Sequence, residues 1–301
     1  MNRFLKKYEG KLAGKTVAVT GATGGIGEHL CRYILLLGAR LIMLGRNEQK
    51  LKALKEKLEK ETENKIEILV ADMENIGSVY SVAAELERLG ANMLIHNAGA
   101  YKIPRHKTDI GYDNVFAINF ISPYVLTRKL MDSLNRIVVV GSIAHNYSKT
   151  DEKDIDFRAR KASSLCYGNA KRYLMFSHFE LQGEGKAEIV ITHPGITLTN
   201  ITAHFPIFLY FFIKPLMRMF FMKPSLAAMS ILSGLFESTP KYSWIGPRFF
   251  DIWGGPKFRK LRTAKQEEIE EIAKKAEEIY KIIENMQKIS LNCKNFSDLP
   301  L

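Results

Sequence analysis

The chain has 301 residues, 46% hydrophobic and 25% charged, with a formal net charge of +12. That is enough apolar chain for a sizeable core, which excludes a disordered or fibrous protein; and because lysines alternate with glutamates in both long charged segments, the basic excess gives no nucleic-acid partner. Three widely spaced cysteines, Cys31, Cys166 and Cys293, exclude a disulfide framework and a metal cluster, so no metal is expected and a cytoplasmic setting fits.

Residues 1–14 carry Lys6, Lys7 and Lys11 without a long apolar run, so no secretory leader is expected. Short β-branched or apolar runs then recur at 16–20, 41–44, 66–71, 92–96, 137–140 and 189–192. Helical patterns such as 48–61 and 78–89 lie between them. Several runs are apolar throughout, as in strands buried on both faces. This alternation predicts an α/β fold: a Rossmann-type doubly wound parallel sheet with helices on both faces, one domain over 1–301, and ligand at the carboxyl edge.

The first strand runs into Thr20-Gly21-Ala22-Thr23-Gly24-Gly25-Ile26-Gly27. Gly21, Gly25 and Gly27 clear side chains from the path of a dinucleotide pyrophosphate, and Thr23, Gly24 and Ile26 complete the loop. A helix starting near Gly25 would point free N–H groups and its positive dipole end at the phosphates. Arg46 and Asn47 close the second strand, with no carboxylate before Glu48. An acid there would bind a ribose 2′-hydroxyl, whereas the planar fork of Arg46 suits a 2′-phosphate, so NADP(H) is favoured over NAD(H). Ser142 ends the fifth strand, where its hydroxyl can donate to a substrate oxygen. Tyr167 and Lys171 stand one helical turn apart. The ammonium is therefore expected to pull the phenol below its usual pKa of about 10, making it a better acid, and to hold the nicotinamide ribose.

In this order, the Thr-Gly-x-x-x-Gly-x-Gly loop and Tyr167-Gly168-Asn169-Ala170-Lys171 resemble the short-chain dehydrogenase/reductase family, in motifs over residues 15–199. The resemblance implies further roles. Asp72 would meet the adenine edge, although its own chemistry also suits a helix N-cap. His96-Asn97-Ala98-Gly99 looks like the family's Asn-Asn-Ala-Gly turn; His96 is read as structural, and Asn97, Ala98 and Gly99 as groove lining. Asn119 matches a helix asparagine that supports a water feeding protons to the lysine. Pro194 and Gly195 would turn over the nicotinamide, and Thr199 would touch the cofactor. Gly141 stands where many members carry another serine. The 25-residue step from Ser142 to Tyr167 resembles the retinol-dehydrogenase-like branch, and its acidic run, Asp151, Glu152, Asp154 and Asp156, reads as a solvated loop.

The implied activity is NADP(H)-dependent interconversion of a small hydrophobic carbonyl compound and its alcohol by hydride transfer. Tyr167 would be the acid/base, Ser142 the polariser, and Lys171 and Asn119 the support. The alternatives are a catalytically silent NADP(H)-sensing binding protein and a membrane-surface interaction protein. Residues 196–224 are read as a substrate lid. Within them the apolar stretch from Phe205 to Ile213 is too short for a bilayer, which needs about 20 residues; peripheral membrane contact and a hydrophobic interface are its other readings. Residues 264–289 carry Ile269, Ile272, Ala276, Ile279, Ile283 and Met286 as a stripe that seats a helix on the same subunit, with a homodimer contact as the alternative.

Overall fold

The computed structural model describes residues 3–62, 64–147, 149–197, 222–263 and 265–297, with side chains through Ile289. Six strands fall on the apolar runs: β1 (Thr16–Thr20), β2 (Arg40–Gly45), β3 (Ile66–Val70), β4 (Met93–His96), β5 (Arg136–Val140) and β6 (Glu188–Thr192). Two more, β7 (Ser243–Phe249) and β8 (Trp253–Lys260), complete one sheet in the order β3-β2-β1-β4-β5-β6-β7-β8. Neighbours pair in parallel up to β7, and β8 returns antiparallel. The order reverses beside β1, between β2 and β4. Connections there leave to opposite sides and open a crevice at the carboxyl ends.

Helices cover both faces. On one lie α1 (Arg3–Lys7), α2 (Gly25–Leu36), α3 (Glu48–Thr62) and α8 (Pro224–Ser233), packed through Leu5, Leu30, Leu51 and Ile231. On the other lie α4 (Ile76–Arg88), α5 (Asn114–Phe116), α6 (Ser122–Leu130), α7 (Ser163–Glu180) and α9 (Gln266–Ser297), packed through Val79, Phe116, Tyr124, Phe176 and Ile269. Covered on both sides, Val17, Ala18 and Val19 of β1 are fully buried, which is why these strands read as continuous apolar runs.

Three features depart from the expectations. First, the β7–β8 hairpin gives no strand signal. Pro247 and Pro256 face each other across it, and its turn places Phe250 and Asp251 at φ 51° and 57°, where glycine or asparagine is the usual marker. Second, the acidic run is solvated only in part: Glu152 is exposed, but its last member is not. Asp156 is 3% exposed and accepts the Asp113 backbone N–H at 2.8 Å and Arg158 Nη2 at 2.8 Å. Arg105 ties the same region to Asp113 at 2.9 Å and to the Phe157 carbonyl at 2.8 Å. Third, the α9 stripe is buried from Ile269 to Ile283 against its own chain, but Met286 is 41% exposed, so the seat ends one turn early.

Among the described residues there is no cluster of metal-ligating side chains, and no helix long and apolar enough to cross a membrane. Thr199 and the stretch from Phe205 to Ile213, and with them most of the expected lid, lie outside the described residues.

Candidate active site

β1 ends in a turn that must pass close to β4. Gly21 adopts φ 65°, and a Cβ on it would come within 2.8 Å of Ala98 Cα. The two loops are laced together: Asn97 Nδ2 donates to the carbonyls of Thr20 (3.0 Å) and Gly21 (3.1 Å), and Ala98 N donates to Thr20 Oγ1 (2.9 Å). Inside α2, a Cβ on Gly27 would fall 2.3 Å from the Gly21 carbonyl oxygen. Gly27→Ala is thus expected to cost about 1–3 kcal/mol, as overpacking against backbone does. Urea unfolding measures it, and an unchanged midpoint would mean the helix moves away freely.

These loops border a cavity of about 390 Å³. Of the residues assigned to a cofactor from sequence, Gly21, residues 23–27, Arg46, Asn47, Asp72 and residues 97–99 all line it. Gly24, the N-cap of α2, makes no side-chain cap, so the helix end is left to face the cavity. Asp72 is not the N-cap of α4. That position belongs to Asn75, which accepts from Ser78 N at 2.9 Å, while Asp72 Oδ1 accepts from Glu74 N at 3.0 Å. Lys50, unforeseen from sequence, lines the cavity beside Arg46. Neither cation has an ion-pair partner among the described residues. An uncapped helix end, two free cations and a glycine-bordered cavity fit a dinucleotide phosphate.

The second group of residues meets at the carboxyl ends of β4 and β5. Helix α7 is buried on nearly all sides from Gly168 to Phe179, between the sheet and α9. Tyr167 and Lys171 share the face toward β5. Lys171 Nζ donates to the Val140 carbonyl at 2.9 Å and lies 5.8 Å from the Tyr167 ring centroid. The Tyr167 hydroxyl hydrogen-bonds with Ser142, whose Oγ also accepts from Ala144 N at 3.2 Å. A Cβ on Gly141 would lie 2.8 Å from Met175 Sδ, so a serine there would require the Met175 side chain to shift.

Asn119 sits in a π-helical turn, Ala117–Ile121, between α5 and α6. Its Nδ2 donates to the Val115 carbonyl (2.8 Å) and the Ala100 carbonyl (2.9 Å), and its Oδ1 accepts from Ala100 N (3.2 Å). A side chain that takes the carbonyl four residues back accompanies the widened turn. A Cβ on Gly99 would lie 3.0 Å from Asn119 Oδ1 and 3.8 Å from Lys171 Nζ, so the two groups converge behind Gly99.

The electrostatics correct one expectation. Burial pushes the Tyr167 phenol up to about 12, against a smaller downward pull from Ser142, and pushes Lys171 down to about 8. Lys171 Nζ donates to the Val140 carbonyl, and burial is the larger influence on the phenol.

His96 is buried. His178 Nδ1 donates to the Leu174 carbonyl (2.6 Å), so its Nε2 accepts from Thr127 Oγ1 (2.9 Å), which in turn accepts from His96 Nε2 (2.9 Å). This string ties β4 to α6 and α7. Behind Ser142, His145 Nδ1 donates to the Ser142 carbonyl at 2.7 Å, and Arg172 donates to the His145 carbonyl at 2.8 Å. Arg172 also forks Glu268 of α9 with two bonds of 2.6 Å. Tyr101 packs its ring against Tyr167 at 5.2 Å. Spacing could not find Tyr101, since it lies in a loop without a repeat. Lys50 had a faint signal, one turn after Asn47 on a helix that starts at Glu48.

The sequence profile described as short chain dehydrogenase matches residues 15–153. Two curated relatives are similar to this chain: human polyprenol dehydrogenase (28% identical over 63% of this chain and 63% of its own length) and mouse retinol dehydrogenase 14 (30%, over 65% of each). Over residues 15–153 the chain is similar to the short-chain dehydrogenase/reductase family. Several of the relatives it resembles are named retinol dehydrogenases. The chain spans just under two thirds of the length of these two relatives. A short-chain dehydrogenase from Sphingobium yanoikuyae, solved in complex with NADPH, shares the fold at TM-score 0.52 and 24% identity, over 63% of this chain and 74% of that one.

Proposed function

We propose that this protein is an oxidoreductase that uses NADP(H) to interconvert an apolar carbonyl compound and its alcohol. The observation that carries the reading is the meeting of Ser142, Tyr167, Lys171 and Asn119 at the carboxyl edge of the sheet, beside the cavity that Arg46 and Lys50 line. The α2 N-terminus, Arg46, Lys50 and Asn97 would hold the cofactor, which when bound supplies or accepts the hydride. The chain's own groups do the rest. Ser142 polarises the substrate oxygen. Tyr167, protonated at neutral pH, gives that oxygen a proton during reduction and takes one during oxidation. Lys171 and Asn119 hold the geometry behind it and pass the proton onward. The printed names of the relatives, retinol and polyprenol dehydrogenases, and the Tyr101 ring beside Tyr167 support an apolar substrate.

The test is NADPH consumption against ketones of increasing apolar size, with NADH in parallel. Tight NADPH binding without turnover on any of them would leave a silent cofactor-binding protein. Cofactor choice has its own expected result. Arg46→Asp should weaken NADPH binding by about 1.5–3 kcal/mol, the scale of hydrogen bonds to a charged group, and improve the relative affinity for NADH. Equal binding of both cofactors by the parent protein would remove the role given to Arg46.

A further inference from the structure

The β7–β8 hairpin ends in a cluster of uncovered aromatic rings. Phe250 is 78% exposed, and Phe249, Phe258 and Trp253 are also exposed. Phe249 and Phe250 stand 6.0 and 6.3 Å from Trp253, ring to ring. Exposed rings in a cluster cost solvation unless something covers them. Around them residues 243–262 carry five cations, Arg248, Lys257, Arg259, Lys260 and Arg262, against one acid, Asp251. Asp251 is already paired with Arg259 at 3.4 Å. The other four cations have no ion-pair partner among the described residues.

We propose that this hairpin docks the protein on an anionic lipid surface. Aromatic rings at a headgroup boundary, flanked by lysine and arginine, are what an anionic interface attracts. A second copy of the chain is the poorer occupant. It would bring another five cations to the same place, and the outer strand β8 is blunted against strand addition by Pro256, Lys257 and Lys260. The hairpin also reaches the candidate active site. His193 Nε2 donates to the Asp251 carbonyl at 2.9 Å, and Ile196 N donates to the Ile252 carbonyl at 3.4 Å, so the turn is bonded to the segment that leaves β6 through Pro194 and Gly195. On the reading that the substrate is apolar, docking here would bring membrane-dissolved substrate near the site. Docking itself does not need that reading, because it is measured without turnover.

The experiment uses the full chain with vesicles of phosphatidylcholine alone or mixed with phosphatidylserine. Of the two tryptophans, Trp244 is 3% exposed, so an emission change reports on Trp253. The expected result is co-flotation with the mixed vesicles and a blue shift of emission. Phe250→Ser should lower partitioning about tenfold through lost apolar burial. Lys257→Gln with Lys260→Gln should lower it about 25-fold, near fivefold per cation. The unfolding midpoint and NADPH affinity of each variant serve as fold controls, and the lysine pair reports if Phe250→Ser misfolds. Failure to float, flotation without a Trp253 shift, or flotation undiminished in both variants would overturn the proposal. So would a hairpin-dependent dimer in sedimentation, or polynucleotide binding that needs the cations but not Phe250.

Discussion

Tyr167→Phe is expected to cut turnover by at least about 10²-fold, the lower scale for losing a general acid, while NADPH binding stays intact. The phenol is hydrogen-bonded with Ser142 and pushed up to about 12 by burial, so it is a protonated acid at neutral pH. Phenylalanine keeps the ring and its contact with Tyr101, so the fold should not change. Tyr167 is not among the residues that line the glycine-bordered cavity. The pH profiles give a second check. Oxidation needs the phenolate and should speed up as pH rises toward 12; reduction uses the phenol and should not. A near-normal rate in the phenylalanine variant would move the proton donor elsewhere. Equal pH slopes in the two directions would do the same.

Acid should unfold this protein well before its carboxylates are neutralised. Burial holds His145, His178 and His193 down to about 4, from an ordinary value near 6.5. With the folded pKa below the unfolded one, the unfolded chain binds more protons between pH 6.5 and 4. Stability is therefore full above about 6.5 and is lost as pH falls toward 4, where the loss levels off. Each histidine contributes on the order of 3 kcal/mol over that window, and three together rival the whole stability of an ordinary domain. Chemical denaturation at pH 7.5 and 5 checks this, and equal free energies would sink it. His178→Gln keeps hydrogen-bonding capacity without a proton to gain, and should remove part of the acid sensitivity; His96, also held well down by burial, adds to what remains.

Much of this architecture is legible in the sequence because its physics is local. A strand covered on both faces needs an apolar run, so β1 to β6 announce themselves, and the glycine loop and Tyr167 with Lys171 follow from chain geometry. What escaped depends on partners far along the chain. Asp156 reads as solvated until the Asp113 backbone N–H, 43 residues earlier, is found against it. The sign of the Tyr167 shift depends on burial by neighbours. The β7–β8 hairpin hid because its prolines and its positive-φ phenylalanine break the local rules for strands and turns. Such breaks tend to gather where a protein is built for something other than stability.

The fork between Arg172 and Glu268 bridges 96 positions of chain. During synthesis the helix bearing Tyr167 and Lys171 is made long before the helix that covers its outer flank. At about 5–20 residues per second, the wait from Glu180 to Ile283 is roughly 5–20 s. For that time Phe176, Tyr173 and their neighbours on this face lack the isoleucines that will bury them. A ribosome stalled within that interval would hold a chain with a complete glycine loop and an incomplete catalytic wall. Release of such a fragment should yield aggregation rather than a slower enzyme. Helix α9 thus sets the moment at which this face of α7 is first covered, and translation speed over residues 180–283 becomes a determinant of yield.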